Sequence, residues 1–324
     1  MGRAAPEISI VLPAHNEAGN IAPMAAAIAQ VMALIGSYEI IFVDDGSSDG
    51  TLTALRAAAR DPVVRYISFT RNFGHQAALR AGLRHANGRA VIVMDADFEH
   101  PPELIPQLIA AWRGGAKIAA TRRDDDATVS AGKRLSSQLY YRMLDAIGDV
   151  RIEPGSADFM LLDRVVVDVV NALEDQDIFL RGLVRWLGFP MITIPYRRGA
   201  RQHGTSSFSM RRMVELALTG IAAHSVRPLR FAIYLALGFA LLSLLFIVYA
   251  VVSFLFVQHT VAGWSSLIAI IAILGAAQLL VLGIIGEYVG RILRETRKRP
   301  SYIVAETEAE RANAAPEPVE TARP

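Results

Sequence analysis

Two kinds of apolar patterning divide the chain. In the first half, short apolar runs recur at Ile8–Pro13, Glu39–Val43, Val64–Phe69, Ala90–Met94 and Lys117–Thr121. Each reads as a strand. Between them lie helix-like stretches at about Ala18–Ile35, Thr51–Arg60 and His75–His85, and Pro101-Pro102 opens another, since proline is tolerated in a first helical turn. Strands this apolar, alternating with helices, predict an α/β domain around a mostly parallel sheet covered on both faces. Ligands of such sheets bind beyond the carboxyl ends of the strands, so the residues that end each strand are where chemistry is expected.

The second half follows another rule. Between Arg230 and Glu287 there are 56 residues without Asp, Glu, Lys or Arg. A membrane-spanning helix takes about 20 apolar residues, so the run holds two spans, Phe231–Val257 and Trp264–Val289, joined by the uncharged Gln258–Gly263. Arg227 and Arg230 precede the pair, and Arg291, Arg294, Arg297, Lys298 and Arg299 follow it. Basic outer flanks and an uncharged connector predict a hairpin with both ends in the cytosol. Ser209–His224 carries Met213, Leu216, Ala217, Gly220 and Ile221 on one stripe, with Arg211, Arg212 and Glu215 mainly off it. That pattern fits an interfacial helix and equally a helix packed on the preceding domain. The resulting division is 1–208 cytosolic α/β domain, 209–230 juxtamembrane helix, 231–290 hairpin, and 291–324 basic segment and tail. The Ala/Glu/Pro-rich stretch after Val304 is expected to be disordered.

Composition narrows the function classes. A net charge of +2 gives no case for nucleic acid. The absence of cysteine removes disulfides, a thiol nucleophile and a thiolate metal site. Residues 1–7 have no apolar signal region, so the first domain of this multi-pass chain is expected to stay in the cytosol.

The strand ends carry carboxylates repeatedly: Glu17, Asp44, Asp45, Asp95 and Asp97. Clustered carboxylates repel unless a cation joins them. Asp95 and Asp97 are two residues apart beyond an apolar strand, so in extended chain both side chains point the same way. One or both can hold a hard divalent cation through oxygen; solvated turn residues are the plain alternative.

Ile10-Val-Leu-Pro-Ala-His-Asn-Glu17, Val43-Asp-Asp-Gly-Ser-Ser-Asp-Gly-Thr51 and Asp95-Ala-Asp97 resemble the successive signatures of family 2 glycosyltransferases, which have the GT-A fold. The resemblance implies that Pro13, Ala14, Glu17 and Asp44 cradle the nucleotide, with Asp44 at the base. It implies that Asp95 and Asp97, with Glu99, hold a Mg2+ or Mn2+ ion on the diphosphate. Thr70–Leu79, Gly155–Asp163, Phe179–Phe189 and Arg201–Phe208 resemble the polyprenyl-phosphate branch of the family, above all the bacterial enzymes that glycosylate undecaprenyl phosphate.

The implied partners are a nucleotide sugar, UDP-glucose first, a polyprenyl phosphate and the membrane. A hairpin and an interfacial helix are also compatible with a homo-oligomer, a tetramer among the options. Asp158 matches the position that acts as base or organises the acceptor, and an organising role is expected. A phosphate monoester is already anionic near neutral pH and needs no strong base. Direct attack would invert the anomeric centre. Two positions depart from the pattern: Glu99 stands where Gln is common, and Ser207 where Lys is common. Arg201 is then the expected phosphate-binding cation of its loop. His75, His100 and His203 show no partner pattern and are expected to be structural or at the surface.

Three other readings remain. A processive polysaccharide synthase would carry Gln-x-x-Arg-Trp, but Gly182 stands where the Gln should precede Arg185-Trp186. A GDP-mannose-dependent dolichyl-phosphate mannosyltransferase is not excluded by the base-contact residues. A non-catalytic membrane scaffold would not need Asp95, Asp97, Asp158 and Arg201 together.

Overall fold

The structure is a computed structural model that describes residues 5–123, 155–173, 175, 179–196, 227–256 and 264–313. The chain divides into two compact units. One is the sheet with its helices and the chain from Pro300 onward; the other holds the two long apolar helices.

In the first unit, β1 (Ile8–Ala14), α1 (Ala18–Met32), β2 (Tyr38–Asp44), α2 (Thr51–Ala58), β3 (Val64–Phe69), α3 (His75–His85) and β4 (Ala90–Val93) follow in alternation. A 3-10 turn at Pro102–Leu104 leads into α4 (Ile105–Arg113) and β5 (Ile118–Arg123). Beyond these come β6 (Ser156–Asp163), α5 (Arg164–Ala172), α6 (Leu180–Trp186) and β7 (Met191–Tyr196). The sheet has the order β7-β5-β6-β4-β1-β2-β3, with a last strand, β8 (Val304–Thr307), at its far edge. β1 pairs in parallel with β2 and β4, β2 with β3, and β5 with β7. β6 is inserted antiparallel between β4 and β5.

The central strands alternate between two buried faces. Ile8, Ile10, Leu12, Ile40 and Phe42 pack with Ile21, Met24 and Ile28 of α1 and with Ile105 and Leu108 of the α4 region. Val11, Ile41, Val43, Val91 and Val93 pack on the other face with Ala78, Leu79 and Leu83 of α3 and with Val166 and Val167 of α5. Both faces being covered explains the near-continuous apolar runs. Each fully buried aliphatic side chain contributes about 1.5–3 kcal/mol, so the sheet centre is a rigid base for the loops at its edge.

The expectation of disorder after Val304 is corrected for residues 304–313. β8 pairs antiparallel with β3, Ile67 opposite Thr307 and Ser68 opposite Glu306, and α9 (Glu308–Asn313) follows. Tyr302 stacks on Phe69 with ring centroids 5.0 Å apart. Glu306 takes a two-pronged ion pair from Arg56 and a hydrogen bond from the Tyr66 hydroxyl. Glu308 pairs with Arg65 at 2.7 Å. The strand was hidden in the sequence because its partners, an open strand edge and three basic or hydroxyl side chains, lie about 240 positions earlier in the chain.

The second unit contains α7 (Arg227–Phe256) and α8 (Trp264–Thr296), which lie alongside one another. Helix α8 runs past the expected end at Val289 into the basic flank. Among the described residues, one window, Ile273–Gly290, is long and apolar enough to cross a membrane, with mean hydropathy 1.7 and none of it buried.

Candidate active site

The carboxyl ends of β1, β2 and β4 open onto a cavity of about 390 Å³. The β1 end supplies Pro13, Ala14, His15 and Glu17, and the β2 end supplies Asp45. The loop before α3 supplies Asn72, Gly74 and His75, and the β4 end supplies Asp95, Ala96 and Asp97. Pro13, Ala14, Glu17, Asp95 and Asp97 therefore converge as the sequence predicts.

The first two loops are tied together. Asn16, in the left-handed region at φ 59°, accepts from the Ser48 N–H at 2.9 Å and donates its own N–H to Ser47 Oγ at 2.9 Å. His15 Nδ1 donates to the Asp45 carbonyl at 2.9 Å, and the Glu17 N–H donates to Thr51 Oγ1 at 2.8 Å. These bonds hold the walls of the cavity in register before any ligand enters, which lowers the ordering cost of binding.

The adjacent aspartates after β2 have separate duties. Asp44 is 1% exposed and turned inward. Its carboxylate accepts from the Ser47 N–H at 3.0 Å and from Ser68 Oγ at 2.8 Å, and it is not among the lining residues. Asp44, expected at the base, is thus turned away from the cavity, and Asp45 is the aspartate that lines it. Its two oxygens accept from the N–H groups of Phe73 (2.6 Å) and Gly74 (2.9 Å). Gly46 makes this approach possible. It sits at φ 61°, and a Cβ there would stand 2.2 Å from the Arg71 carbonyl carbon.

At the β4 end, the Asp95 N–H donates to His100 Nδ1 at 2.9 Å. The buried His100 ring stacks on Phe159 with centroids 5.2 Å apart. Asp97, itself buried, accepts from the Glu99 N–H at 3.0 Å, and Phe98 between them takes φ 65°. Of the residues expected from sequence to hold a metal, Asp95 and Asp97 line the cavity and Glu99 does not. Among the described residues no group of three or more carboxylate or imidazole side chains is arranged so that it could hold a metal ion by itself. Two carboxylates facing an open cavity fit a hard cation that keeps its other positions for ligand oxygens.

Asp158 reaches the same edge by an antiparallel route. Because β6 runs against β4, its first residues lie where β4 ends. Val93 pairs with Met160, and extending that register two residues sets Asp95 opposite Asp158. Between them stands His75, its Nε2 3.7 Å from Asp95 Oδ1 and 3.5 Å from Asp158 Oδ2. On the other side of the carboxylate, Arg181 Nε lies 2.9 Å from Asp158 Oδ1. The Arg181 guanidinium donates to the Ser156 carbonyl at 3.2 Å and covers the Phe179 ring at 5.1 Å.

Burial alone would raise the Asp158 pKa. The His75 hydrogen bond and the Arg181 charge outweigh it and hold the carboxyl below the usual aspartate range. Burial would lower the His75 pKa, but hydrogen bonding to Asp158 and the charges of Asp95 and Asp158 raise it on balance. An aspartate held ionised is a weak proton acceptor.

His75 and His100, expected to be bystanders, both touch Asp95. His75 and Arg181 are the residues at this edge to which sequence reasoning assigned no role, and Asp45, read there only as one of the strand-end carboxylates, lines the cavity. Arg201 and Ser207 lie outside the described residues.

Residues 9–170 match the profile of glycosyl transferase family 2. The chain belongs to this family and is a glycosyltransferase. It is 37% identical to the uncharacterized glycosyltransferase YkcC of Bacillus subtilis, over 92% of this chain and 93% of that one. It is also 37% identical to the bactoprenol glucosyl transferase of Shigella phage SfV, over 92% of this chain and 98% of that one. A mannosyltransferase of Pyrobaculum calidifontis, solved with GDP-Man and Mn2+, aligns at 18% identity over 86% of this chain and 87% of that one, with a TM-score of 0.48.

Proposed function

We propose that this glycosyltransferase moves glucose from UDP-glucose to a polyprenyl phosphate, undecaprenyl phosphate in bacteria, at the cytosolic face of the inner membrane. The observation that carries the reading is the shared edge of the cavity. Two carboxylates suited to a diphosphate-bound cation, Asp95 and Asp97, line it, and an ionised Asp158 adjoins it through His75. Likeness to a bactoprenol glucosyl transferase over 92% of the chain supports the lipid acceptor.

The nucleotide would sit against Pro13, Ala14, Glu17 and Asp45, with its diphosphate toward Asp95 and Asp97. Mg2+ or Mn2+ held by those two aspartates would supply charge stabilisation for the departing diphosphate. A phosphate oxygen of the lipid attacks the anomeric carbon as the bond to the nucleoside diphosphate breaks, which inverts the centre. No proton has to leave an anionic acceptor, so Asp158 is not required to be a base. Its task is to fix the acceptor side of the site, and Arg181 offsets its charge so that a second anion can approach.

Helix α8 supports membrane attachment. The pairing of β8 with β3 adds an argument for the hairpin. Chain on both sides of the helix pair belongs to one folded unit, which supports a reading in which the pair begins and ends on the same side of a bilayer. An even number of crossings meets that condition; a single span does not. The acceptor keeps its phosphate at the membrane surface, and an anchored catalytic unit is thereby confined to the plane of its substrate.

The test incubates membranes holding the full chain with undecaprenyl phosphate and a panel of labelled UDP- and GDP-sugars, with and without a chelator. The expected result is chelator-sensitive incorporation into lipid from UDP-glucose. Incorporation from another donor alone would overturn the sugar assignment, and chelator-insensitive transfer would overturn the metal assignment.

A further inference from the structure

We propose that His75 is a positioning residue that ties the donor-side carboxylate Asp95 to the acceptor-side carboxylate Asp158; this rests on the functional reading above. Its imidazole Nε2 lies between the two carboxylates, at 3.7 Å and 3.5 Å. Arg181 Nε lies 2.9 Å from the other oxygen of Asp158, a charge contact without hydrogen-bond alignment, so the buried carboxylate has a cationic or imidazole group on each side. Without the imidazole, Asp158 Oδ2 loses its contact at 3.5 Å, and Arg181 is left as the one charged neighbour described for that carboxylate.

The backbone around His75 is built to hold the ring there. Gly74 takes φ 101°, and nothing lies within 4 Å of the position a Cβ would occupy, so the glycine is required by the backbone angle, not by lack of space. Asp45 grips the N–H groups of Phe73 and Gly74 immediately before the histidine. Gln76 accepts from the Leu180 N–H at 3.0 Å, one residue before Arg181. Further along α3, Arg80 donates to the carbonyls of Leu173 and Asp175. Helix α3 is therefore fastened at its first turn to the donor loop of Asp45 and along its side to the segment that delivers Arg181. The residue at the junction of these two fastenings is His75. A displacement of about 1 Å in reacting groups is enough to cost about a hundredfold in rate, which is the scale on which such a tie acts.

The full chain would be reconstituted in lipid vesicles containing undecaprenyl phosphate. Steady-state transfer from UDP-glucose would be measured for wild type, His75→Ala and His75→Gln, with binding of UDP in MnCl2 followed by calorimetry. His75→Ala is expected to lower kcat by about a hundredfold, with the donor KM and UDP affinity within about twofold of wild type. His75→Gln, whose amide N–H can take the place of the ring Nε2–H, is expected to recover at least tenfold of that loss. Wild-type kcat in His75→Ala, an equal loss of UDP binding, or no recovery in His75→Gln would each overturn the bridge. Failure of the wild-type protein to transfer sugar to lipid would overturn the functional reading and the bridge together.

Discussion

Arg181 Nε stands 2.9 Å from Oδ1 of Asp158, joining helix α6 to the start of strand β6. The pair is nearly buried on the aspartate side, at 8% exposure, and open on the arginine side, at 34%. A guanidinium so placed adds to the His75 contact in holding the Asp158 pKa down. Arg181→Gln is expected to lower kcat by roughly tenfold or more, in line with loss of a charge-assisted contact. It should also move the acid limb of the kcat–pH profile upward, because the Asp158 pKa is held down partly by Arg181. A pH–rate profile of the variant that overlays the wild type would show that the pair is not part of the working site.

Asp44 and Asp45 are expected to separate in mutants. Asp45→Ala releases the N–H groups of Phe73 and Gly74 and should raise the UDP-glucose KM by about tenfold, the equivalent of one charged hydrogen bond. Asp44→Asn should cost stability instead, about 1–2 kcal/mol for an imperfectly satisfied buried group, with little change in KM. Thermal melting and donor titration of the two proteins distinguish them.

The strand that returns after the membrane helices should be measurable as protection. Ending the chain at Ser301 removes the Ile303 carbonyl that accepts from the Thr70 N–H at 3.1 Å, and Glu308, which accepts from the Tyr66 N–H at 3.3 Å. Hydrogen exchange across β3 should then accelerate, most at Tyr66 and Thr70, while exchange in β1 stays slow. Unchanged exchange at Tyr66 and Thr70 would show that β8 does not occupy this edge.

At the opposite end of the sheet from the site, Glu39 joins Ser9, the Asn87 N–H and Arg65. Burial would raise its pKa, but these hydrogen bonds and the Arg65 charge hold it below the usual glutamate value. A carboxyl with a lowered folded pKa contributes stability in full above its unfolded value, about 4.3, and loses it as the pH falls through the folded value. Glu39→Gln should therefore melt lower than wild type at pH 7, by an amount set by about 2 kcal/mol. The difference should shrink as the pH falls below about 4. A gap that is constant with pH would contradict the charge role of Glu39.

Much of this site is legible from strand ends alone. The apolar runs at Ile8, Glu39 and Ala90 mark the strands, and the polar residues beyond them do line the cavity. The choice between Asp44 and Asp45 was not legible, because a strand buried on both faces has no polar side to set the phase of its last residue. The meeting of Asp95 and Asp158 was not legible either, because it depends on the antiparallel insertion of β6, which no local pattern records. His75 became meaningful only once that register placed a carboxylate on each side of it. β8 escaped notice because a four-residue, half-polar strand owes its extended form to the β3 edge it covers, not to its own propensity.

The most direct measurement is the fate of label from UDP-glucose when the purified full chain is held in vesicles with or without undecaprenyl phosphate. Glucose is expected to enter the organic phase only when the lipid phosphate is present, and Asp158→Asn is expected to abolish most of this transfer. Release of free glucose with lipid label at background, or equal transfer to a water-soluble acceptor, would contradict a lipid phosphate as the acceptor.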